Sequence, residues 1–326
     1  MNNHEKISLK PYNTFGIDVR ARRLVVIEPD DDFRGKWEVE SERLLVLGGG
    51  SNMVFTKDYD GTVITLSHSV TQPLGRSDTL VTAWGGMVMD DLVQWTLDHG
   101  LYGLENLSAI PGTVGASAVQ NVGAYGAEAK DFIHSVEAYD LLERRYCTFS
   151  NADCHFAYRD SLFKHQPGRY LILRVTYCLS ETFIPNLSYK ALEGMPHDTA
   201  QQLREAITEM RWSKLPRPEE HGSAGSFFKN PVVDETTYFR LKDEHPDMPN
   251  AYRSDNGYKL SAGWLIDKAG WKGRTQGRVG VWPKNALVLY NAGGCSGDEV
   301  RSLAASIQQD VKQKFGVALD PEAIII

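Results

Sequence analysis

Cysteine is scarce in this chain. The four thiols, Cys147, Cys154, Cys178 and Cys295, form no C-x-x-C pair. That spacing argues against a disulfide framework and a thiolate metal centre, and reads as reduced thiols in a cytoplasmic protein. In that setting the sequons at Asn106 and Asn186 carry no glycosylation signal. The nine histidines show no H-x-x-x-H or H-E-x-x-H spacing, so no metal site is expected. No apolar run approaches the length that crosses a bilayer, and the start, MNNHEKISLKPYNTFGID, has no signal-peptide core. Membrane association is therefore not expected. A basic excess is missing too: 35 Lys and Arg stand against 42 Asp and Glu, a net charge of -7. This argues against a nucleic-acid partner, although a few placed cations can still hold a small anion. There is no G-x-S-x-G elbow, which removes one class of hydrolase.

What is present is a globular composition, 42% hydrophobic and 24% charged, over 326 residues. That length predicts two or three domains. RRLVVIEP, RLLVLGGGSN and GTVITL read as strands. Met89, Leu92, Val93 and Leu97 share one face of a helix expected over 87–99, with Gly100 as its stop. Strands return between 133 and 180, in HSVEAYDL, RRYCTF and GRYLILRVTYCLS. Thr199 and Gln202 have the spacing of a capping box before the apolar stripe Leu203, Ile207 and Met210. The Pro- and charge-rich RWSKLPRPEEHG that follows marks a domain boundary near residue 210. The last third is α+β. It has a helix in SAGWLIDKAG, a buried strand in NALVLY, and a final helix capped by Ser296 and Glu299. Val300, Leu303, Ala304, Ile307, Val311 and Phe315 form that helix's apolar face, Gly316 stops it, and VALDPEAIII closes as a strand.

Two segments are rich in glycine. Gly48-Gly49-Gly50-Ser51-Asn52 follows a strand, where successive N–H groups can converge on an anion. The same residues also suit a plain strand-to-strand turn. Met53 breaks the G-x-G-x-x-G pattern and no helix is expected after it, which argues against a Rossmann site. Residues 101–126 are rich in Gly, Ala and Ser, and are read as tight loop packing or as a backbone surface for a ligand. Two such segments about sixty residues apart suit a long ligand with a pyrophosphate and a flat ring. Arg159 in the polar turn YRDS can hold a carboxylate or phosphate bidentately, or simply pair with Asp160. Ser226 in GSAGSFFKNP can relay a proton, or only bond to backbone. Glu322 beside AIII is a candidate acid, or a solvated carboxylate.

Seven segments in order resemble the UDP-N-acetylenolpyruvoylglucosamine reductase family: NTFGID, GGGSNMV, NLSAIPGTVGASAVQNVGAYG, YRDSLFK, AGSFFKNP, SAGWLID and LDPE. The resemblance covers nearly the whole chain. It implies an α+β, FAD-binding fold of the vanillyl-alcohol-oxidase (PCMH) type in two subdomains, 1–66 and 67–209, plus a C-terminal α+β substrate domain at 210–318. Strand 319–326 would return to the first subdomain. It implies non-covalent FAD, NADPH as reductant and UDP-N-acetylglucosamine enolpyruvate as substrate, in a cytoplasmic monomer. Arg159, Ser226 and Glu322 match the family's catalytic positions. Flavin contacts are implied for Asn13, Gly48, Gly49, Gly50, Ser51, Asn52 and Met53. They are also implied for Pro111, Gly112, Thr113, Gly115, Ala116, Ser117, Gln120, Asn121, Gly123, Ala124 and Tyr125. Tyr189, of a substrate-covering loop, with Lys214, Asn230 and Asn285, match substrate contacts. Two positions depart from the pattern: Lys190 stands where a glycine is usual, and Asn285 where a glutamine is common. A flavin oxidase of the same fold is the alternative, and it would be favoured by a His or Cys attachment site. Neither residue occurs within 48–54 or 106–126. A non-catalytic nucleotide-binding protein would need none of the three catalytic matches.

Overall fold

The computed structural model describes residues 2–32, 43–254 and 257–326. Contacts group the chain into two compact units. The first comprises Met1–Ile7, Ala21–Gly49 and Asp60–Arg211, and the second comprises Ser8–Arg20, Gly50–Tyr59 and Trp212–Ile326.

In the first unit a four-stranded sheet runs in the order Asn2–Ser8, Arg20–Ile27, Tyr59–Leu66, Leu44–Leu47. Its last two strands are parallel, from Leu44 opposite Thr62 to Leu47 opposite Thr65. Tyr59–Leu66 is buried at nearly every position, as expected of a strand covered on both faces, whereas Arg20–Ile27 begins with in–out alternation. An antiparallel five-stranded sheet follows, ordered Arg145–Ser150, Ile133–Asp140, Tyr170–Cys178, Leu80–Trp84, Gly75–Ser77. Helix α1 (Met89–Asp98) buries Met89, Leu92 and Val93 in the core that Trp84, Val136, Tyr139, Val175 and Tyr177 build. The fully buried Tyr177 hydroxyl lies 3.1 Å from Ser117 Oγ, which satisfies it, and burial pushes the phenol above its ordinary pKa.

Within the segment read as loop packing or ligand surface, a short helix forms: α2, Val114–Gln120. Thr113 caps it by accepting the Ala116 N–H at 3.4 Å, and Asn121 ends it with φ 43°. Small residues permit its depth. A Cβ on Gly115 would stand 3.1 Å from the Gly85 carbonyl and 3.2 Å from that of Ile172. Helix α3 (Ala200–Lys214) starts at the expected capping box, with Gln202 N–H donating to Thr199 Oγ1 and Thr199 N–H to Gln202 Oε1.

The second unit holds an antiparallel sheet ordered Ser223–Ser226, Val288–Asn291, Val279–Val281, Thr275–Gln276. A three-stranded sheet, Val232–Val233, Gly257–Lys259, Tyr252–Ser254, accompanies it. Helix α4 (Glu235–Glu244) is absent from the sequence reading. It buries only Tyr238 and Leu241, too few positions for a visible apolar stripe, and relies on Asp234 as its cap. Helix α5 (Ala262–Lys268) is capped by Ser261, and α6 (Gly297–Phe315) by the reciprocal Ser296–Glu299 box. Glycine at the first position of α6 answers to packing, since a Cβ on Gly297 would meet the Phe55 carbonyl at 1.9 Å. The terminal strand, Ile324–Ile325, pairs in parallel with Met53–Val54.

The cysteines are free thiols, as expected. Burial pushes Cys154 up to about 12 and Cys295 up to about 11, while Cys178 is exposed. Thiolate is the reactive form, so at neutral pH iodoacetamide should label Cys178 first and spare Cys154 and Cys295 until the chain unfolds. Peptide mass mapping over time checks this; early labelling of Cys154 in the native protein would contradict its packing.

Candidate active site

The first unit brings the two glycine-rich segments together. A Cβ on Gly48 would sit 2.9 Å from Ala116 Cβ and 3.0 Å from Thr113 Oγ1, and one on Gly49 would sit 3.1 Å from Gly112 Cα. Main chain therefore lies on main chain, and the pair presents peptide groups and small side chains, a surface suited to phosphates and a flat ring. Pro111 through Tyr125 belong to this unit. Several of the expected contact residues support the scaffold through their side chains. Ser117 Oγ donates to the Val114 carbonyl at 2.7 Å. Asn121 donates to the Ala157 carbonyl at 2.8 Å and accepts from Lys130 N–H at 3.0 Å. Gln120 Oε1 accepts from Lys164 Nζ at 3.0 Å.

Arg159 lies on a tight turn closed by hydrogen bonds in both directions between Ala157 and Asp160, at 3.0 and 3.1 Å. Its φ is 55°, a left-handed conformation that costs a non-glycine residue about 1 kcal/mol or more. Its Nη2 donates to the Gly123 carbonyl, its Nη1 lies 3.8 Å from Glu128 Oε1, and Lys164 Nζ donates to its carbonyl at 2.6 Å. Gly123 has no room for a side chain, because a Cβ would meet Arg159 Nη1 at 3.0 Å and the Ala127 carbonyl at 2.6 Å. Asp160 turns away to His165, at 2.7 Å, so the expected surface pair of Arg159 with Asp160 gives way to one with Glu128.

Sequence reading missed two charged residues here, Glu128 and Arg211. Arg211 donates to the Ala109 carbonyl at 3.1 Å and lies beside the Tyr125 hydroxyl. Arg204 grips Asp90 with two bonds, at 2.6 and 2.9 Å. Burial acts to raise the Asp90 carboxyl. The bonds from Arg204 and Ala109, together with the charges of Arg204 and Arg211, outweigh it and hold the group below the usual range. Burial lowers the pKa of Arg211, but a guanidinium stays charged. Two guanidinium groups around one carboxylate leave positive charge next to the second glycine-rich segment. No motif announces Arg211, since an arginine near a helix end usually serves the helix dipole. Tyr189 meets Tyr125 edge to face at 5.3 Å, and its loop is tied to the Gly126 carbonyl by Asn186 Nδ2 at 3.1 Å.

The second unit brings Ser226 and Glu322 onto adjoining backbone. Phe227 N–H donates to the Leu287 carbonyl at 2.7 Å, and its own carbonyl accepts the Glu322 N–H at 2.8 Å. Phe227 and Phe228 are fully buried and anchor the segment. Gly225, with φ +65° and no atom near its would-be Cβ, is needed for conformation rather than space. It sits at the register shift between Ser223 and Ser226 that re-aims the serine. Asn52 ties the first motif to this place: its Nδ2 donates to the Glu322 carbonyl at 3.2 Å, and its carbonyl accepts the Ile324 N–H at 2.9 Å. Gly50 packs on Tyr12 and Asn13, where a Cβ would meet the Tyr12 carbonyl at 2.1 Å. Ser51 and Met53 belong to the same unit. Asn13 is buried and braces its loop, donating to the Leu9 and Ile17 carbonyls at 2.8 and 3.0 Å.

Among the expected substrate contacts, Asn230 Oδ1 accepts the Ala262 N–H at 3.0 Å and so caps α5, and Lys214 is the exposed last residue of α3. Asn285 Oδ1 accepts the Leu287 N–H at 3.1 Å, which organises the turn whose Leu287 carbonyl holds Phe227. Among the described residues no cluster of His, Cys, Asp or Glu could hold a metal ion, and no helix is long and apolar enough to cross a membrane.

Residues 38–142 match the family model described as FAD binding domain. Residues 217–326 match that of the UDP-N-acetylenolpyruvoylglucosamine reductase C-terminal domain. The reductase of that name from Pseudomonas aeruginosa is 47% identical over 98% of this chain and 97% of its own length. The Neisseria gonorrhoeae reductase is 44% identical over 97% of this chain and 95% of its own. The crystal structure of UDP-N-acetylenolpyruvylglucosamine reductase from Thermus caldophilus superposes with a TM-score of 0.70 at 24% identity, covering 99% of this chain and 98% of that one. The fold is thus the α+β FAD-binding fold expected from the motifs. Gly49→Ala should force the two glycine-rich segments apart, an overpacking cost of about 1–3 kcal/mol, and weaken flavin binding by roughly tenfold or more. Flavin absorbance per polypeptide measures this, and full flavin content in the variant would show that the close approach is not needed. With residues 217–326 matching the reductase's C-terminal domain and near-full-length relatives above 40% identity, the chain belongs to the UDP-N-acetylenolpyruvoylglucosamine reductase family.

Proposed function

We propose that this chain is an FAD-dependent reductase that uses NADPH to convert UDP-N-acetylglucosamine enolpyruvate to UDP-N-acetylmuramate, in peptidoglycan precursor synthesis. The observation that carries the reading is the pairing of Glu322 with the Ser226–Phe227 segment, in a chain 47% identical to a curated reductase. The FAD would rest on Gly48, Gly49, Gly112–Ala116 and Gly123–Tyr125, with Gly50–Met53 and the positive charge of Arg211 contributing. When bound, it supplies hydride chemistry, storing a hydride from NADPH and passing it to the methylene carbon of the enolpyruvyl group.

The chain's own residues handle charge and proton. Addition of hydride to the methylene carbon leaves negative charge on the neighbouring carbon and its carboxylate. Arg159 binds that carboxylate, and its fixed positive charge stabilises the transition state more than the ground state. Glu322, as the carboxylic acid, donates a hydrogen bond to the same group. The Ser226 hydroxyl gives its proton to the carbanionic carbon, which completes the addition of H⁻ and H⁺ across the double bond. A serine hydroxyl is a weak acid, so this step depends on the strong basicity of the carbanion and on exclusion of water. Lys214 and Asn230 would hold the nucleotide diphosphate under the loop of Tyr189, and Asn285 would contact the substrate, with the substrate domain spanning 210–318. The enzyme is taken to be a cytoplasmic monomer acting on a small molecule. The oxidase alternative is not favoured, since full-length relatives carry the reductase name and neither glycine-rich segment has a His or Cys to attach flavin.

Stopped-flow separates the two half-reactions. Ser226→Ala should leave flavin reduction by NADPH nearly intact and slow flavin reoxidation by the enolpyruvyl substrate by roughly 10²-fold or more. Turnover at the parent rate would remove Ser226 from the mechanism. Glu322→Gln keeps a hydrogen-bond donor but loses the carboxyl, and should slow flavin reoxidation by the substrate by roughly tenfold or more while sparing flavin reduction by NADPH. An unchanged reoxidation rate would count against the role of Glu322.

A further inference from the structure

An arginine on a turn has four side-chain torsions with which to miss its target, so a guanidinium that must meet one carboxylate has to be held. In the first unit the holder is visible. Glu128 Oε1 faces Arg159 Nη1 at 3.8 Å, while the Gly123 carbonyl takes Nη2. Glu128 is itself fixed from three sides. Its carboxylate caps the turn Ala129–Asp131, accepts from Asn121 Nδ2 at 3.3 Å and pairs with Lys130 Nζ at 2.8 Å. Its N–H donates to Asp131 Oδ2 at 2.8 Å. Asn121 is fully buried and binds the Ala157 carbonyl as well, so one amide side chain links the holder to the turn that carries Arg159.

Charge decides how such a holder can work. A lone carboxylate beside Arg159 would cancel the charge that the substrate requires. Lys130 Nζ, 2.8 Å from Glu128 Oε2 and close to the Asp131 carboxylate as well, draws on the Glu128 charge from the side away from Arg159. We infer that Glu128 is the positioning residue of the Arg159 guanidinium, and that Lys130 neutralises Glu128 so that Arg159 keeps its charge for an incoming carboxylate. The inference rests on the reductase reading given above.

Single variants and their combination, made in the full-length FAD-bound enzyme, test it. Glu128→Gln keeps the shape but loses the ion pair. It should lower kcat for reduction of the enolpyruvyl substrate by roughly tenfold, with KM changed far less and flavin reduction by NADPH near the parent rate. Lys130→Met leaves the carboxylate in competition with the substrate, and should raise KM by roughly fivefold with kcat nearly kept. The double variant should regain the parent KM at the low kcat, a non-additivity that independent structural damage would not produce. Parent values of kcat and KM in Glu128→Gln would overturn the inference, as would equal losses in both half-reactions. Should Glu128→Gln fail to hold flavin, Lys130→Met decides alone, and an unchanged KM overturns the inference. A parent enzyme that does not reduce this substrate at all would instead overturn the reductase reading, and the inference with it.

Discussion

The peptide of Phe227 is the interaction on which the candidate site in the second unit depends. Its N–H is spent on Leu287 and its carbonyl on Glu322, so one residue's backbone fixes the serine on one side and the carboxyl-bearing segment on the other. The two phenylalanine rings, fully buried and edge to face at 5.1 Å, keep that peptide from shifting. Asn52 then adds the first glycine-rich motif to the same knot by bonding to the Glu322 carbonyl. The parallel pairing of Ile324–Ile325 with Met53–Val54 continues it to the C-terminus. Precision here comes from main chain, which has fewer ways to move than side chains do.

Strain and charge gather in the first unit for related reasons. Among the described residues, five of the eight non-glycine positions with positive φ, namely Ala109, Asn121, Tyr125, His155 and Arg159, lie in or beside the second glycine-rich segment and the Arg159 turn. Left-handed backbone at non-glycine positions persists only where surrounding bonds over-determine it. Asn121 shows how: its side chain is saturated by Ala157, Glu128 and Lys130 while its backbone ends α2. In the same unit Arg159 pairs with Glu128 and is braced by Lys164, while Arg204 and Arg211 act on Asp90. An acidic protein thus places several arginines beside the segments where an anionic cofactor and substrate are proposed to bind.

Local signals in the sequence were read correctly where the physics is local. The capping boxes at Thr199 and Ser296 fix their own helix starts through neighbours three residues away, and both form. Short β-branched runs such as GRYLILRVTYCLS became strands because alternation and burial are written in the run itself. Helix α2 was not legible, because glycine, alanine and serine carry no apolar stripe, and what holds that helix is its fit against Gly85 and Ile172. Helix α4 was missed for a similar lack of contrast, with two buried residues in ten. Among candidate site residues, Ser226 and Glu322 are proposed through motif resemblance. Glu128 and Arg211 are not, since an acid after a glycine turn and an arginine late in a helix look like ordinary surface charge.

By itself the sequence determined the chemical inventory: two glycine-rich segments, a basic turn, a serine among anchoring aromatics, and an acid near the end. These depend on residue type and short-range order, which the chain carries without folding. Only the tertiary structure decided which of those groups meet. It set Gly49 against Gly112, Glu322 beside Phe227, Glu128 beside Arg159 and Arg211 beside Tyr125. Contacts across tens to hundreds of residues follow from close packing of whole elements, and no local propensity encodes them.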